Sequence, residues 1–391
     1  MGGACKSAES ASTKPRPFRL GRLGRLASAL LALAAATKPG DAHADCRRSV
    51  ATSCIDANAL WLRPGAHDFL TVPVGEPVPA GAVAFAAGAT FLSRPLVLTV
   101  PSPDRGGREV PLVERAVDQT LRVAAGLGHG FEVGLALATV LHQSGAGPSA
   151  LTTQRGEPLP STAVRDPRVG VARVFQLAPA WRVGARTELT IPLGDADAYA
   201  SAGGVTVAPA VAAEVRSAAW ALSAALGARL REGVELGATR FGSQLELALG
   251  ARVRVLGPAS LSVEAFALPA LGSATSRRGR ELGVHARLVP AEWLAALHLV
   301  DAARWPVALT FGAGSGLPLS AESRDGHPVW SFAPTSPAFR ALFELRYVPA
   351  RDVGTRSTPA RRVPSFAAAH APRQRSPNAL PESTVRRTAR P

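Results

Sequence analysis

Residues 244 to 255 read Gln-Leu-Glu-Leu-Ala-Leu-Gly-Ala-Arg-Val-Arg-Val. Leu245, Leu247, Leu249, Ala251, Val253 and Val255 fall on one side of an extended chain, and Gln244, Glu246, Ala248, Gly250, Arg252 and Arg254 on the other. Successive side chains of a strand point to opposite faces, so this period of two predicts a strand with one wholly apolar face. The same alternation recurs over Trp181 to Ile191, Trp220 to Arg231 and Phe339 to Tyr347.

Alternation alone suits any half-buried sheet, including a soluble periplasmic β-sandwich that binds a partner. Three features favour a membrane barrel instead. The runs are about 10 to 13 residues, near the length a tilted strand needs to cross a bilayer and longer than strands of soluble sheets. Aromatics (Phe91, Phe131, Trp181, Trp220, Phe339, Tyr347) stand at the ends of the apolar faces, where interfacial girdles belong. Connections fall into two classes. His129-Gly130, Pro179-Ala180, Ser217 and Leu256-Gly257-Pro258 are tight, whereas 93 to 118, 143 to 167, 194 to 204, 232 to 242, 271 to 280 and 315 to 337 are long and rich in turn residues. Short turns on one rim and long loops on the other mark an outer-membrane barrel with its short rim in the periplasm.

The expected fold is therefore all-β: an antiparallel up-and-down transmembrane barrel of about 12 strands over residues 80 to 348. The expected strands are 80–92, 119–128, 131–142, 168–178, 181–193, 205–216, 218–231, 243–255, 259–270, 281–289, 307–314 and 338–348. Residues 290 to 306 fit either a turn of amphipathic helix at the rim or a poorly patterned strand. Arg173 breaks the apolar face set by Val169 and Val171.

The flanks read differently. A basic stretch (Lys14, Arg16, Arg19, Arg22, Arg25), an apolar run from Leu26 to Thr37 and Ala42-His43-Ala44 form a secretory signal peptide over 1 to 44, cleaved after Ala44. Residues 45 to 79 read as a periplasmic N-terminal segment. Residues 349 to 391, with nine Arg and seven Pro and few large apolar groups, read as a disordered tail. These flanks hold most of the +15 net charge: +5 lies in 1 to 44 and +7 in 349 to 391, which leaves +3 for the body. A nucleic-acid partner is not indicated. With Cys5 removed, Cys46 and Cys54 remain as a pair suited to a disulfide in an oxidising compartment. The partners a barrel implies are outer-membrane lipids and the barrel-assembly machinery.

No catalytic, cofactor or metal site emerges, and no cofactor is expected. His67, His129, His142, His285, His298, His327 and His370 stand singly, where a metal would need clustered ligands. His142 and Ser144 share a strand face and admit an outer-membrane hydrolase of lipids or esters, without an orienting carboxylate nearby. The inner face carries Arg182, Arg186, Glu188, Arg229, Arg231, Glu246, Arg252, Arg254, Arg340, Glu344 and Arg346 as lumen-lining candidates. Buried charges pair or stay wet, so the interior is either a charge network that fills the barrel or a narrow aqueous path. Eight Arg against three Glu in that set predict a preference for small anions.

Three stretches carry a family likeness: Arg165-Asp166-Pro167-Arg168-Val169-Gly170, Ile191-Pro192-Leu193-Gly194-Asp195-Ala196-Asp197-Ala198-Tyr199 and Leu309-Thr310-Phe311-Gly312-Ala313-Gly314. Over residues 80 to 348 the chain resembles the barrel halves of OmpA-family outer-membrane proteins of myxobacteria and their relatives. That family's usual C-terminal peptidoglycan-binding domain has no counterpart after Tyr347. The resemblance thus implies a membrane barrel without a cell-wall anchor, and brings no site residues with it.

Overall fold

The computed structural model describes residues 52–65, 69–100, 108–148, 158–300, 306–324 and 327–347. The expected signal peptide and C-terminal tail lie outside them, as does Cys46.

Twelve strands close an antiparallel barrel: β1 (Val83–Val100), β2 (Arg108–Gly128), β3 (Phe131–Ser144), β4 (Arg168–Ala178), β5 (Trp181–Thr190), β6 (Thr206–Arg216), β7 (Trp220–Arg229), β8 (Gln244–Leu256), β9 (Ala259–Ala267), β10 (Ala291–Val300), β11 (Val307–Gly316) and β12 (Phe339–Tyr347). Each pairs with the next, and β1 pairs with β12 in register from Phe85↔Tyr347 to Ser93↔Phe339, so no edge is left open. In a bilayer that closure is obligatory, because a free edge would present unpaired N–H and C=O groups to lipid. A single closed sheet also excludes the two-sheet sandwich.

The alternation places side chains as expected. Leu247, Leu249, Val253, Trp181, Leu189, Phe343 and Leu345 stand on the outer face, while Glu246, Arg182, Arg186, Glu188, Arg340 and Glu344 are buried inside. Aromatics pair across strands at separate levels of the outer wall: Phe85 with Tyr347 and Phe91 with Phe339, each at 6.5 Å between ring centroids. The irregular Arg173 also faces outward, its guanidinium carbon 4.5 Å from the ring of Phe131 and 4.4 Å from that of Phe175. A cation on an apolar wall is tolerated at such an aromatic rim, where it covers ring faces and reaches the headgroups.

Two corrections concern strands. The stretch expected as a strand at 281–289 holds the end of a short helix, Arg277–Glu281, and the three-residue strand His285–Arg287 of a small loop sheet with Ser320–Arg324 and His327–Ser331. The barrel strand is instead β10, inside the ambiguous 290–306. Its pattern was masked because both faces are apolar in the middle: Trp293, Ala295 and Leu297 face out, while Leu294 and Ala296 pack inside between Glu292 and His298. One loss and one gain leave the count at twelve. The expected loop 93–118 is mostly strand, since β1 and β2 run on as an 18- and 21-residue pair. Register shifts between Ser93 and Val97 bend that hairpin. Leu92, Leu96, Leu112, Val113 and Ala116 thereby join Leu236, Phe241 and Tyr199 from other loops in a buried cluster on the long-loop side.

The largest departure is the N-terminal segment, expected as a periplasmic lead-in. Its described residues run through the barrel. Near the long-loop rim the Thr52 N–H donates to Glu235 O at 3.4 Å and the Ala57 N–H to Tyr199 O at 3.0 Å. At the short-turn rim the Val78 N–H donates to Glu132 Oε2 at 3.4 Å, and the chain turns into β1 past Gly126. A Cβ on Gly126 would lie 2.2 Å from the carbonyl oxygens of Val78 and Pro79, so only glycine admits that approach. Residues 52–65 and 69–79 form a plug.

Candidate functional site: the filled lumen

The plug lies against a wall built small. Inner-face positions Ala212, Ala221, Ala248 and Ala296 leave space that Leu60, Leu62, Phe69, Leu70, Val72 and Val74 fill. Two wall glycines fit particular rings. A Cβ at Gly250 would lie 2.7 Å from Phe69 Cδ1, and one at Gly134 would lie 2.6 Å from Pro64 Cβ. Burial of these apolar groups contributes on the order of 25 cal/mol per Å² removed from water.

Polar contacts hold the plug along its length, and most come from wall side chains. Glu264 on β9 accepts from the Leu70 N–H at 3.0 Å, the Thr71 N–H at 2.7 Å and the Thr71 hydroxyl at 2.8 Å. Arg122, Arg168 and Arg229 donate to the plug carbonyls of Arg63, Leu62 and Ala59 at 2.7, 3.1 and 2.9 Å. Arg340, fully buried, forms a two-pronged pair with Glu292 at 2.7 and 3.0 Å and reaches Asn58 Oδ1 at 3.0 Å. Asn58 in turn donates to Asp118 at 2.8 Å. From the plug, Arg63 pairs with Glu246 and sits 3.7 Å from Glu188, which also faces Arg168 and bonds Arg186. Arg182 bridges Glu76 of the plug at 2.7 Å and Glu214 of the wall at 3.4 Å. Most of these buried charges thus face a counter-charge or a backbone carbonyl, and Glu264 is held by N–H and hydroxyl donors, the condition under which ions tolerate a low-dielectric interior.

Of the expected lumen residues, Arg182, Arg186, Glu188, Arg229, Glu246, Arg340, Glu344 and Arg346 are buried inside. Arg231 and Arg252 are half-buried, and Arg254 is exposed near the short-turn rim. Arg231 donates to Gly242 O and Arg252 to Ser260 Oγ, while Glu344 pairs with Arg122. The reading missed five buried wall carboxylates, Asp118, Glu132, Glu214, Glu264 and Glu292, and three inward arginines, Arg122, Arg168 and Arg216. With them the excess of Arg over acid on the wall falls from five to three. The field favouring anions is correspondingly weaker than the sequence suggested.

Above the ionic belt the plug enters the loop cap. Cys54 is fully buried there and disulfide-bonded. Asp56 pairs with Arg165, which lies 3.1 Å from Asp118. Asp166 accepts from the Gly194 and Ala202 N–H groups at 2.8 and 2.9 Å. Burial raises both the Asp56 and Asp166 carboxyls above the ordinary range, against the pull of Arg165 on the first and of the backbone N–H donors on the second.

His142 is exposed and Ser144 half-buried on β3; the ladder with β2 is regular from His142 to Ser144, beyond the bulge at Leu141, so the two share a strand face as expected, with Gln143 buried between them. A His–Ser contact does occur inside: Ser262 Oγ lies 2.8 Å from His298 Nε2, and His298 Nδ1 lies 3.1 Å from Thr310 Oγ1. Glu264 is tied to this cluster through Ser262 at 3.3 Å but is committed to the plug backbone. Among the described residues no group of His, Cys, Asp and Glu could hold a metal ion.

A closed antiparallel twelve-strand barrel with an aromatic outer wall and a charged, filled interior defines the class: an outer-membrane-type β-barrel. In fold the chain is similar to the COG4313 outer-membrane channel from Pseudomonas putida F1, with a TM-score of 0.50 and 16% identity over 70% of this chain and 97% of that one. Weaker likenesses include the NanC porin, with a TM-score of 0.38 and 10% identity over 68% and 98%, and the KdgM porin, at 0.37 and 7% over 67% and 98%. No family model matches the sequence, and no curated protein matches it. The structural likeness is thus to barrel channels at large; nothing in it singles out the OmpA family.

Proposed function

We propose that this chain is an outer-membrane channel for small solutes that its own residues 52 to 79 hold shut at rest. The observation that carries this reading is how the plug is attached. Its described residues contribute no strand to the barrel, and it is gripped by side chains such as Glu264, Arg122, Arg168 and Arg229 acting on its backbone. A segment so held can leave while the wall's hydrogen-bond ladder stays intact. The alanine- and glycine-lined wall would then enclose an aqueous bore instead of collapsing. Structural neighbours that are channels support the reading at the level of fold. A purely structural barrel is the alternative, and the plug's carved fit at Gly250 and Gly134 is the observation that favours it.

The membrane placement is tested by fractionation. The protein is expected in the outer-membrane fraction, with a band that migrates faster before boiling than after. Recovery as a soluble periplasmic monomer would refute it.

A further inference from the structure

Two of the arginines that grip the plug also lie over an aromatic ring. The guanidinium carbons of Arg168 and Arg229 lie 5.0 and 4.0 Å from the centroid of Trp61. The same two groups donate to carbonyl oxygens on either side of that residue, Leu62 O and Ala59 O. An aromatic ring in contact with two guanidiniums that also bond nearby acceptor oxygens presents the two features of an aromatic carboxylate. Guanidinium recognises both halves of such a molecule, stacking on the ring and bonding the oxygens in one plane.

The slot is incompletely filled. Trp61 is only half-buried and borders a partly open cavity of about 40 Å³. Thr190 and Thr206 border that cavity, are only 3% and 1% exposed, and their hydroxyls have no hydrogen-bond partner among the described residues. An unpaired buried hydroxyl is costly, so the cavity favours a ligand that brings an acceptor. Arg231, whose one described side-chain bond is to a backbone carbonyl, supplies a further cation. Two carboxylates also border the space, but both are committed elsewhere: Asp56 to Arg165, and Asp166 to the Gly194 and Ala202 N–H groups.

We infer that the Trp61 slot is a ligand site occupied at rest by the chain's own indole, and that its ligand is a small planar aromatic monocarboxylate. The inference deepens the channel reading, on which it rests only for the ligand's route; binding itself requires no conduction.

The test uses the full chain in nanodiscs of phosphatidylcholine, with 2-naphthoate and its neutral analogue 2-naphthalenemethanol as probes in titration calorimetry. Trp61→Ala vacates the slot and is expected to bind 2-naphthoate about tenfold more tightly than the unaltered chain, the scale of one stacked or charge-assisted contact. Adding Arg229→Gln should abolish that gain, and the alcohol should show none. No gain with Trp61→Ala, a gain that survives Arg229→Gln, or an equal gain for the alcohol would each overturn the inference. If Trp61→Ala fails the gel-shift test of folding, Arg231→Gln in the otherwise unaltered chain decides. It should weaken naphthoate binding about tenfold, and an unchanged affinity would overturn the site. A barrel that conducts yet shows no such binding keeps the channel reading and loses the ligand; one that binds but never conducts does the reverse.

Discussion

At the scale of single residues, the interior combines ion pairs with close steric fits, and each gives a prediction. Arg340 is fully buried, and its only carboxylate partner among the described residues is Glu292. Breaking a buried pair costs roughly 3 to 5 kcal/mol because the remaining charge is stranded, whereas replacing both members by apolar groups is often neutral. Glu292→Ala is therefore expected to depress the midpoint of the heat-induced gel shift sharply, and Glu292→Ala with Arg340→Met to restore most of it. The fit is tested at two glycines. Gly250→Ala drives a Cβ to 2.7 Å from the Phe69 ring, while at Gly184 the nearest atom is Val74 Cγ2 at 3.5 Å. Overpacking costs about 1 to 3 kcal/mol, so Gly250→Ala should loosen residues 69 to 79 to limited proteolysis and Gly184→Ala should not. Equal protection in both would mean that Phe69 does not occupy the position described.

At the scale of elements, the strands were legible wherever one face was apolar and the other polar. Residues 244 to 255 determine their own facing, which a pair of substitutions checks: Leu249, 65% exposed on the outer wall, against Arg252, which bonds Ser260 inside. Leu249→Arg places a cation near mid-bilayer at a cost of roughly 2 to 4 kcal/mol and is expected to block assembly. Arg252→Leu should assemble, and similar yields of the two in the outer membrane would refute the assignment. Legibility failed for two physical reasons. In β10 the middle of the inner face is itself apolar because Leu294 and Ala296 pack against the plug, so only Glu292 and His298 were left to mark the period of two. In the plug, proline breaks and the absence of strand pairing left no period to detect. The sequence did carry an indirect signal, since Ala208, Ala210 and Ala212 on an inner face leave volume that something must fill. The charged candidates were found by parity from the clearest strands. Glu264 stands among the inner-face serines Ser260 and Ser262, and Glu292 at the start of a strand whose inner face turns apolar, so neither strand shows the repeated inward charge of the others.

At the scale of the whole molecule, two barriers lie in series: the apolar cap around Cys54, Ile55 and Phe241, and the ionic belt around Arg63, Glu188 and Glu246. Each depends on the plug, which links them. The most direct test of this account is single-channel recording in a planar bilayer, comparing the full chain with a variant in which Glu264→Ala and Arg63→Ala remove two of the plug's anchors. The unaltered protein is expected to show no steady conductance. The variant is expected to show discrete openings of at most weak anion preference, a preference that fades as salt screens the wall arginines. Steady large cation-selective steps from the unaltered protein, unchanged in the variant, would contradict the account, because they would require a continuous acidic path where the structure places the plug.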